Sequence, residues 1–565
     1  MRKPKPRALG FALIFLLLPP MVWLLWMAAT FNGLPSPDAM DHAQAARNVA
    51  VGNGFVTSAI SPLSLDLVPN VTRHPVLFHS PLFLAWEAVW FRISQPSDTV
   101  AAFASGAMWM LACWMVYLVA LRLFTPSIGL FAVLLFLANA SLLRFAVSGL
   151  PHLMAGFLLT GLLWSLAGPR EENDDPLVPP WWSLVASGVF VGLAGLAEQT
   201  LVWVILVPVA LYWALRPRWA AREYGTRVSP ARARRAGLIA VVALLAMVWV
   251  CLAPWMLRNH LLVGSLFWTP DRYDVLTHTA TFPGQTAYRR LASSLPGPLE
   301  FALEHPGEVL RKCVSGALRL SDTAPSLAGW VVLALFLAGC LFPPAGVAGR
   351  IQRYLLLMLG LASGVLCLTS QQFDRLVVFL PGLTLFAAAA AYRLLDTVRE
   401  TGGAERLARR RMVASLVVVW VVAAAPLITA RQQARRSVRL LPTRNVIDLA
   451  EKMERGSGVI TDAPWLVAWY TGRPAVWLPQ DEQESRVLLD RTDKLSWMYF
   501  TYYRRWLAPN EVARWWMRAV RPPGGFGPFV PQESKAPGEV VLRRKAAQGD
   551  RVGAAPRPVV RQPRG

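Results

Sequence analysis

Asp38 and Asp41 stand three residues apart in the stretch Ser-Pro-Asp-Ala-Met-Asp-His-Ala-Gln-Ala-Ala-Arg-Asn-Val-Ala-Val-Gly-Asn-Gly, residues 36 to 54. Ser36 is a helix-capping type, Pro37 suits a first helical turn, and an acidic group there is favoured by the positive end of the helix dipole. The spacing puts both carboxylates on one helix face, with Arg47 two to three turns further on. Gly52 and Gly54 then stop the helix. A carboxylate so placed can take a proton from an attacking hydroxyl. Acidic first-turn residues are also common merely because they suit the dipole, so spacing alone does not separate catalysis from capping. Position adds to the case, because the pair directly follows the first long apolar run, within reach of a lipid-linked substrate.

A second constellation is Ala253-Pro-Trp-Met-Leu-Arg-Asn-His. Pro254 is expected to end a helix, Trp255 suits the headgroup boundary, and Arg258, with Asn259 beside it, emerges where the phosphate of a membrane-embedded lipid would sit. Arginine offers a planar fork of donors that matches phosphate oxygens and stays charged. An arginine snorkelling beside an aromatic belt fits the same spacing equally well. Arg375, in Ser-Gln-Gln-Phe-Asp-Arg, is a second phosphate candidate at the start of a later apolar run. His74 and His79 are five apart in a proline-interrupted loop, which lacks a defined metal-ligand geometry. The candidate set is therefore Asp38 and Asp41 as catalytic groups and Arg47, His74, Arg258, Asn259 and Arg375 as substrate-binding groups, with no metal ligands.

These residues need elements to hold them, and the composition says which. Of 565 residues, 55% are hydrophobic and only 16% charged, and uncharged runs recur throughout, as in a polytopic membrane protein. The formal net charge of +23 gathers in short segments between apolar runs. That is the pattern of positive-inside loops facing anionic headgroups, and no recognition motif for nucleic acid accompanies it. Four of the five cysteines lie in apolar runs and Cys313 is alone in a polar loop, so no disulfide framework or metal pattern forms. The N-terminal run is longer than a signal-peptide core and lacks a small-x-small cleavage site, so it is expected to remain as a first span.

The span length of about 20 residues predicts about eleven transmembrane helices, near 9–30, 99–122, 126–143, 150–167, 181–198, 200–215, 236–256, 327–342, 354–369, 376–394 and 412–430. Clustered Arg and Lys place the N-terminus and the loops 216–235 and 393–411 in the cytoplasm. The outer face then receives residues 31–98, 144–149, 258–326, 370–375 and everything after 431. All seven histidines fall in these regions or at the outer end of a span, which points to a titratable surface on one side. Residues 55–98 are expected to hold short interfacial helices, with Glu87 facing protein or water. Residues 440–545 alternate β-rich runs with amphipathic helices and read as a small external α/β domain. The tail from 546 is expected to be disordered.

The segments PDAMDHAQAARNVAVGNGF, RHPVLFHSPLFLAWEAVWF and APWMLRNHLLVGSLF resemble those of the GT-C membrane glycosyltransferases, especially the bacterial relatives of protein O-mannosyltransferases and of the lipid A aminoarabinose transferase. The resemblance implies an all-α polytopic membrane fold. With it, the chain is expected to divide into a transmembrane module over 1–430 with a catalytic first external loop at 31–98, and, from composition, an external α/β domain at 431–545 and a basic tail at 546–565. It also implies a polyprenyl-phosphate sugar donor, an acidic catalytic residue at Asp38 and a functional role for Arg258, since PW…RN recurs in the family. Relatives often place a second acidic residue directly after the first, where this chain has Ala39, which leaves open whether Asp41 takes that part. His152 stands where relatives tend to have an acidic residue, so that role is not carried over. The expected activity is inverting transfer of a sugar to a hydroxyl of a glycan, lipid or protein acceptor at a bacterial inner membrane, with the site facing outward and with membrane lipids as further partners. No cofactor beyond the lipid-linked donor is called for, and a need for a divalent metal is left open. The rival readings are a solute transporter or lipid flippase, and a noncatalytic scaffold. A transporter calls for ionisable groups at mid-membrane in broken, internally repeated helices. No repeat is visible, and Glu198 is the borderline exception to charges lying in outer loops.

Overall fold

The computed structural model describes residues 6–168, 181–223, 229–266, 268–400, 405–436, 442–454, 456–501, 528–536 and 538–545. The expected disordered tail and the helix expected near 510–520 lie outside them.

Among the described residues, six helices are long and apolar enough to cross a membrane: Asp98–Leu123, Gln199–Glu223, Pro230–Val263, Gly346–Leu368, Phe373–Asp396 and Arg410–Ala434. The pair Pro306–Ala328 and Trp330–Leu341 makes a seventh if counted as one span, bent by 106°. Four shorter apolar helices, Phe15–Thr30, Pro126–Leu137, His152–Ala167 and Trp181–Ala197, pack among them. The chain is a multi-pass membrane protein. Span length alone predicts about eleven spans, but several of the apolar runs are divided by caps that it does not register. The run at 126–143, for example, stops at Leu137 and restarts as Ala140–Phe145, with Asn139 as the new N-cap accepting from the Leu142 amide. The expected polar loop 258–326 likewise contains a 23-residue helix, Pro306–Ala328, which turns into the next apolar helix at Gly329, where φ is 80°.

Burial sorts the helices. The Phe373–Asp396 segment is 89% buried and forms the axis of the bundle, whereas Pro230–Val263 is 22% buried and faces lipid along most of its length. Where that outer helix meets Trp181–Ala197, Gly188 and Gly192 permit close approach: a methyl on Gly188 would lie 2.5 Å from Met247 Cβ, and one on Gly192 2.5 Å from Cys251 Cβ. Two small residues four apart serve backbone contact between apolar helices, which gain little from hydrophobic burial in lipid.

Outside the bundle, eight short strands among the described residues form two sheets. β1 (Val56–Thr57) pairs antiparallel with β3 (His74–Pro75). The larger sheet has the order β2-β5-β4-β6-β8-β7, from β2 (Ala59–Ile60), β4 (Gly458–Thr461), β5 (Ala475–Trp477), β6 (Leu495–Phe500), β7 (Phe529–Gln532) and β8 (Val540–Arg544). The first three pairings are parallel and the last two antiparallel, so β8 alone runs against the other five strands of this sheet. Edge strand β2 belongs to the first external loop, so the loop and the C-terminal α/β region share one sheet. The helix Pro464–Thr471 between β4 and β5 packs on Pro37–Ala50, burying Ala39, Ala43 and Ala46 with Leu466 and Trp469 in one apolar cluster.

Candidate active site

Residues 37–50 form the helix that the sequence predicts. Ser36 caps it, accepting from the Ala39 amide at 3.2 Å, Pro37 opens the first turn, and Gly52 and Gly54 leave it at φ of 85° and 79°. The apolar face of this helix is buried against the sheet region, so its opposite edge carries Asp38 and Asp41 into a cavity of about 450 Å³.

Five other segments complete the cavity. His152 opens the helix His152–Ala167, and Glu198 sits at the break between Trp181–Ala197 and Gln199–Glu223. Arg375 comes from the 3-10 turn Phe373–Phe379 at the head of the central helix. Asp271, Asp274 and Tyr288 come from short 3-10 turns in the 258–305 region, and Trp465 and Trp477 from the C-terminal sheet region.

Hydrogen bonding distinguishes the two carboxylates. Asp41 Oδ2 lies 2.8 Å from His79 Nε2 and its Oδ1 accepts from Gln44 Nε2 at 2.8 Å. Asp38 is exposed to the cavity and has no hydrogen bond or ion pair among the described residues. Behind Asp41, the His79 ring lies 4.0 Å from the ring of His42. Burial and then the neighbouring His79 push His42 well below its ordinary pKa, so it is neutral. Burial alone would lower His79 too, but the Asp41 carboxylate outweighs it and the pKa is raised. Asp41 is thus committed to its partners and Asp38 is not.

Across the cavity, Glu198 is buried at 8% exposure and bridges two partners, with Oε2 3.3 Å from His152 Nδ1 and Oε1 3.4 Å from Arg375 Nε. Arg375 Nε also donates to Gln372 Oε1 at 3.0 Å. Its two terminal nitrogens have no hydrogen-bond partner among the described residues, so the guanidinium is held from behind and presents its outer edge. A buried carboxylate is tolerated only with such partners. On the third wall Tyr288 donates its hydroxyl to Asp274 Oδ1, and burial followed by the charge of Asp271 pushes Asp274 up to about 6. Lys312 Nζ ties this turn to the Pro306–Ala328 helix by donating to the carbonyls of Asp274 at 2.5 Å and Val275 at 3.2 Å.

The predicted site residues divide. Asp38, Asp41 and Arg375 line the cavity. Arg47, His74, Arg258 and Asn259 do not, and each has a visible structural task. Arg47 donates to the carbonyls of Trp469 at 2.6 Å and Ala468 at 2.8 Å, closing the C-terminal turn of Pro464–Thr471. His74 is buried in β3 with Nδ1 3.1 Å from Asn70 O, and burial lowers its pKa to about 4. Arg258 lies 4.2 Å above the Trp255 ring and donates to Phe55 O at 3.3 Å and to the buried Asn259 at 3.1 Å. Pro254 does not end its helix, which continues to Val263 and stops at Gly264 with φ 75°. Arg258 therefore points sideways from a continuing helix onto the first loop. The cavity residues missed in the sequence are His42, His79, His152, Glu198, Asp271, Asp274 and Tyr288. The sorting of histidines to one face was a signal for three of them, whereas Asp271 and Asp274 carried none. Among the described residues no group of three or more His, Cys, Asp or Glu is arranged to hold a metal ion.

A multi-pass helical bundle with an external mixed sheet, joined over a polar cavity by the first external loop, defines a membrane protein whose chemistry faces one surface. Solved structures of other membrane proteins share this fold. ArnT from Cupriavidus metallidurans in the apo state superposes with a TM-score of 0.58 at 12% identity, covering 95% of this chain and 98% of that one. The same protein bound to undecaprenyl phosphate gives 0.56 at 14% identity over the same shares. The archaeal oligosaccharyltransferase AglB from Archaeoglobus fulgidus, in complex with an inhibitory peptide and a dolichol-phosphate, gives 0.53 at 13% identity, covering 86% of this chain and 69% of that one. No family model and no curated protein matches the sequence.

Proposed function

We propose that this chain is a glycosyltransferase that moves a sugar from a polyprenyl-phosphate donor to an acceptor hydroxyl on the outer face of a bacterial inner membrane. The observation that carries the reading is that an unpartnered carboxylate, Asp38, and the free edge of a guanidinium, Arg375, face one cavity at a membrane boundary. The undecaprenyl phosphate and dolichol-phosphate bound by two of the fold neighbours support a lipid phosphate as the donor's anchor.

In this mechanism Asp38 accepts the proton of the acceptor hydroxyl as its oxygen attacks the anomeric carbon. The bond from that carbon to the phosphate oxygen breaks, and its electron pair leaves with the polyprenyl phosphate. Arg375 receives the growing negative charge through its terminal nitrogens, with Glu198 fixing the guanidinium from behind. A single displacement inverts the anomeric centre and needs no covalent intermediate. Asp41, held by His79 and Gln44, sets the field around Asp38 rather than taking the proton itself. Arg375 takes the phosphate role in place of Arg258, whose terminal nitrogens turn to Phe55 and Asn259 and which does not line the cavity. The loop 31–98 is the catalytic unit of the 1–430 module. The 431–545 region supplies the acceptor side, where the Trp465 and Trp477 rings stand 5.6 Å apart and nearly perpendicular in the cavity wall. Such rings offer apolar faces to sugar C–H groups.

The test is transfer from radiolabelled polyprenyl-phosphate sugars in vesicles containing the full chain. Transfer to acceptor is expected; donor translocation without transfer, or no reaction with any donor, overturns the proposal. Asp38→Asn removes a side chain that holds nothing else in place, so it should fold normally and lose at least about a hundredfold in rate. Wild-type turnover in that variant removes Asp38 from the mechanism.

A further inference from the structure

A second pocket, of about 470 Å³, lies far from the cavity between the helices Gln199–Glu223 and Gly346–Leu368. Gln199 and Ser370 line the catalytic cavity, whereas Trp219 and Arg350 in the second pocket lie some twenty residues along the same helices. At 1.5 Å per residue the two sites are about 30 Å apart, the thickness of a bilayer's hydrocarbon core. The pocket therefore opens at the opposite membrane face.

Its walls are of two kinds. Tyr354 packs against Tyr212 at 5.4 Å and Trp219 at 6.0 Å, forming an aromatic back, while Leu211 and Leu357 at the mouth are 43% and 40% exposed towards lipid. At the polar end stand Arg350 and Arg353. Arg350 forms a fork with Glu223, donating at 2.7 and 3.0 Å, and its Nε is buried with no partner. Arg353 donates its Nε to Gly349 O at 3.3 Å, and its terminal nitrogens have no partner among the described residues. Glu223 balances Arg350, which leaves Arg353 uncompensated, and the neighbouring Arg218 and Arg222 are exposed.

An apolar slot open to lipid, ending in an uncompensated guanidinium one bilayer away from the active face, fits a phospholipid with its chains along the leucines and its phosphate at Arg353. We propose that this groove is a binding site for an anionic phospholipid of the leaflet opposite the catalytic cavity. The surplus of cations selects a headgroup with net negative charge over a zwitterionic one. The site stands whether or not the chain transfers sugar.

The test titrates full-length protein, purified in detergent and stripped of lipid, with dioleoyl-phosphatidylglycerol or dioleoyl-phosphatidylcholine, and reads bound lipid by native mass spectrometry. Phosphatidylglycerol is expected to bind in preference to phosphatidylcholine. Arg353→Gln should weaken it about fivefold, the effect of one cation near an anionic surface, with thermal unfolding unchanged. Arg411→Gln removes an equal exposed charge outside the groove and should leave binding as in wild type. Equal binding of the two lipids, an unaffected Arg353→Gln protein or equal losses in both variants overturns the proposal, the last by showing diffuse attraction. Displacement of the lipid by millimolar inorganic phosphate would mean an adventitious anion site and overturns it too.

Discussion

Two arginines compete for the donor phosphate, and their surroundings predict opposite outcomes when each is removed. Arg375 presents free terminal nitrogens to the cavity, so Arg375→Ala deletes a contact that strengthens as charge develops on the leaving phosphate. Loss of one such donor costs about 10²- to 10³-fold in kcat, or roughly 2.7–4 kcal/mol. Arg258 instead donates to Phe55 O, tying the first loop to its helix, and packs on Asn259 and the Trp255 ring of that same helix. Arg258→Ala should cost about 1–3 kcal/mol of folding stability, seen as less folded protein, while the folded fraction keeps its rate to within about threefold. Arg375→Lys retains the charge but loses the Nε contacts to Glu198 and Gln372, and should recover about tenfold over Arg375→Ala. The assay is sugar transfer in vesicles, normalised to protein eluting as folded by size exclusion. If folded Arg258→Ala protein loses transfer a hundredfold while Arg375→Ala protein works near the wild-type rate, the phosphate site has been placed on the wrong arginine.

Glu198→Gln keeps the shape of the bridge but removes the charge that orients Arg375 and His152, so kcat should fall roughly tenfold with KM for the donor little changed; a shift confined to KM would place Glu198 in ground-state binding instead. His74 offers a pH test. Its folded pKa of about 4 lies below the ordinary 6.5, so between those values the unfolded chain binds the extra proton and stability falls as pH falls. The full effect is about 3 kcal/mol. His74→Gln should flatten that part of the acid-side loss in thermal unfolding in detergent, and identical slopes in the two proteins would refute the assignment.

What could be seen in the sequence was what local chemistry decides. The cap at Ser36, the proline start and the glycine stop around Asp38 and Asp41 depend on neighbours a few residues away, and the structure has all of them. Arg47 was misplaced because its face on the helix was legible while its partners, Ala468 and Trp469, lie more than four hundred residues further along the chain. The same holds for Glu198, Asp271 and Tyr288, which meet the first loop only through the packing of the bundle. Pro254 fell on the other side of the rule: a proline late in a long lipid-facing helix removes one backbone bond, and the helix continued through it.

The edge strand β2 explains why the first loop can be both mobile in sequence terms and exact in position. From Asp41 a chain of hydrogen bonds runs through Gln44, which donates to Thr57 Oγ1 at 2.5 Å and accepts from the Ser58 amide at 2.8 Å. Ser58 O in turn accepts from the Ala475 amide at 2.7 Å, and β2 continues in parallel register with β5, Ala59 opposite Ala475 and Ile60 opposite Val476. Trp477 lies one residue further on the same strand, in the cavity wall. The carboxylate edge and the aromatic wall are thus two ends of one hydrogen-bonded unit, clamped a second time by Arg47 on the Pro464–Thr471 helix. Transfer reactions lose rate steeply when reacting groups are misplaced by about 1 Å, and a sheet shared between loop and domain fixes that distance through backbone register rather than through side chains alone. A parallel pairing that slipped by one residue would turn the β2 side chains to the other face, so the register of Ala59 opposite Ala475 and Ile60 opposite Val476 ties the loop in one way to the strand that carries Trp477.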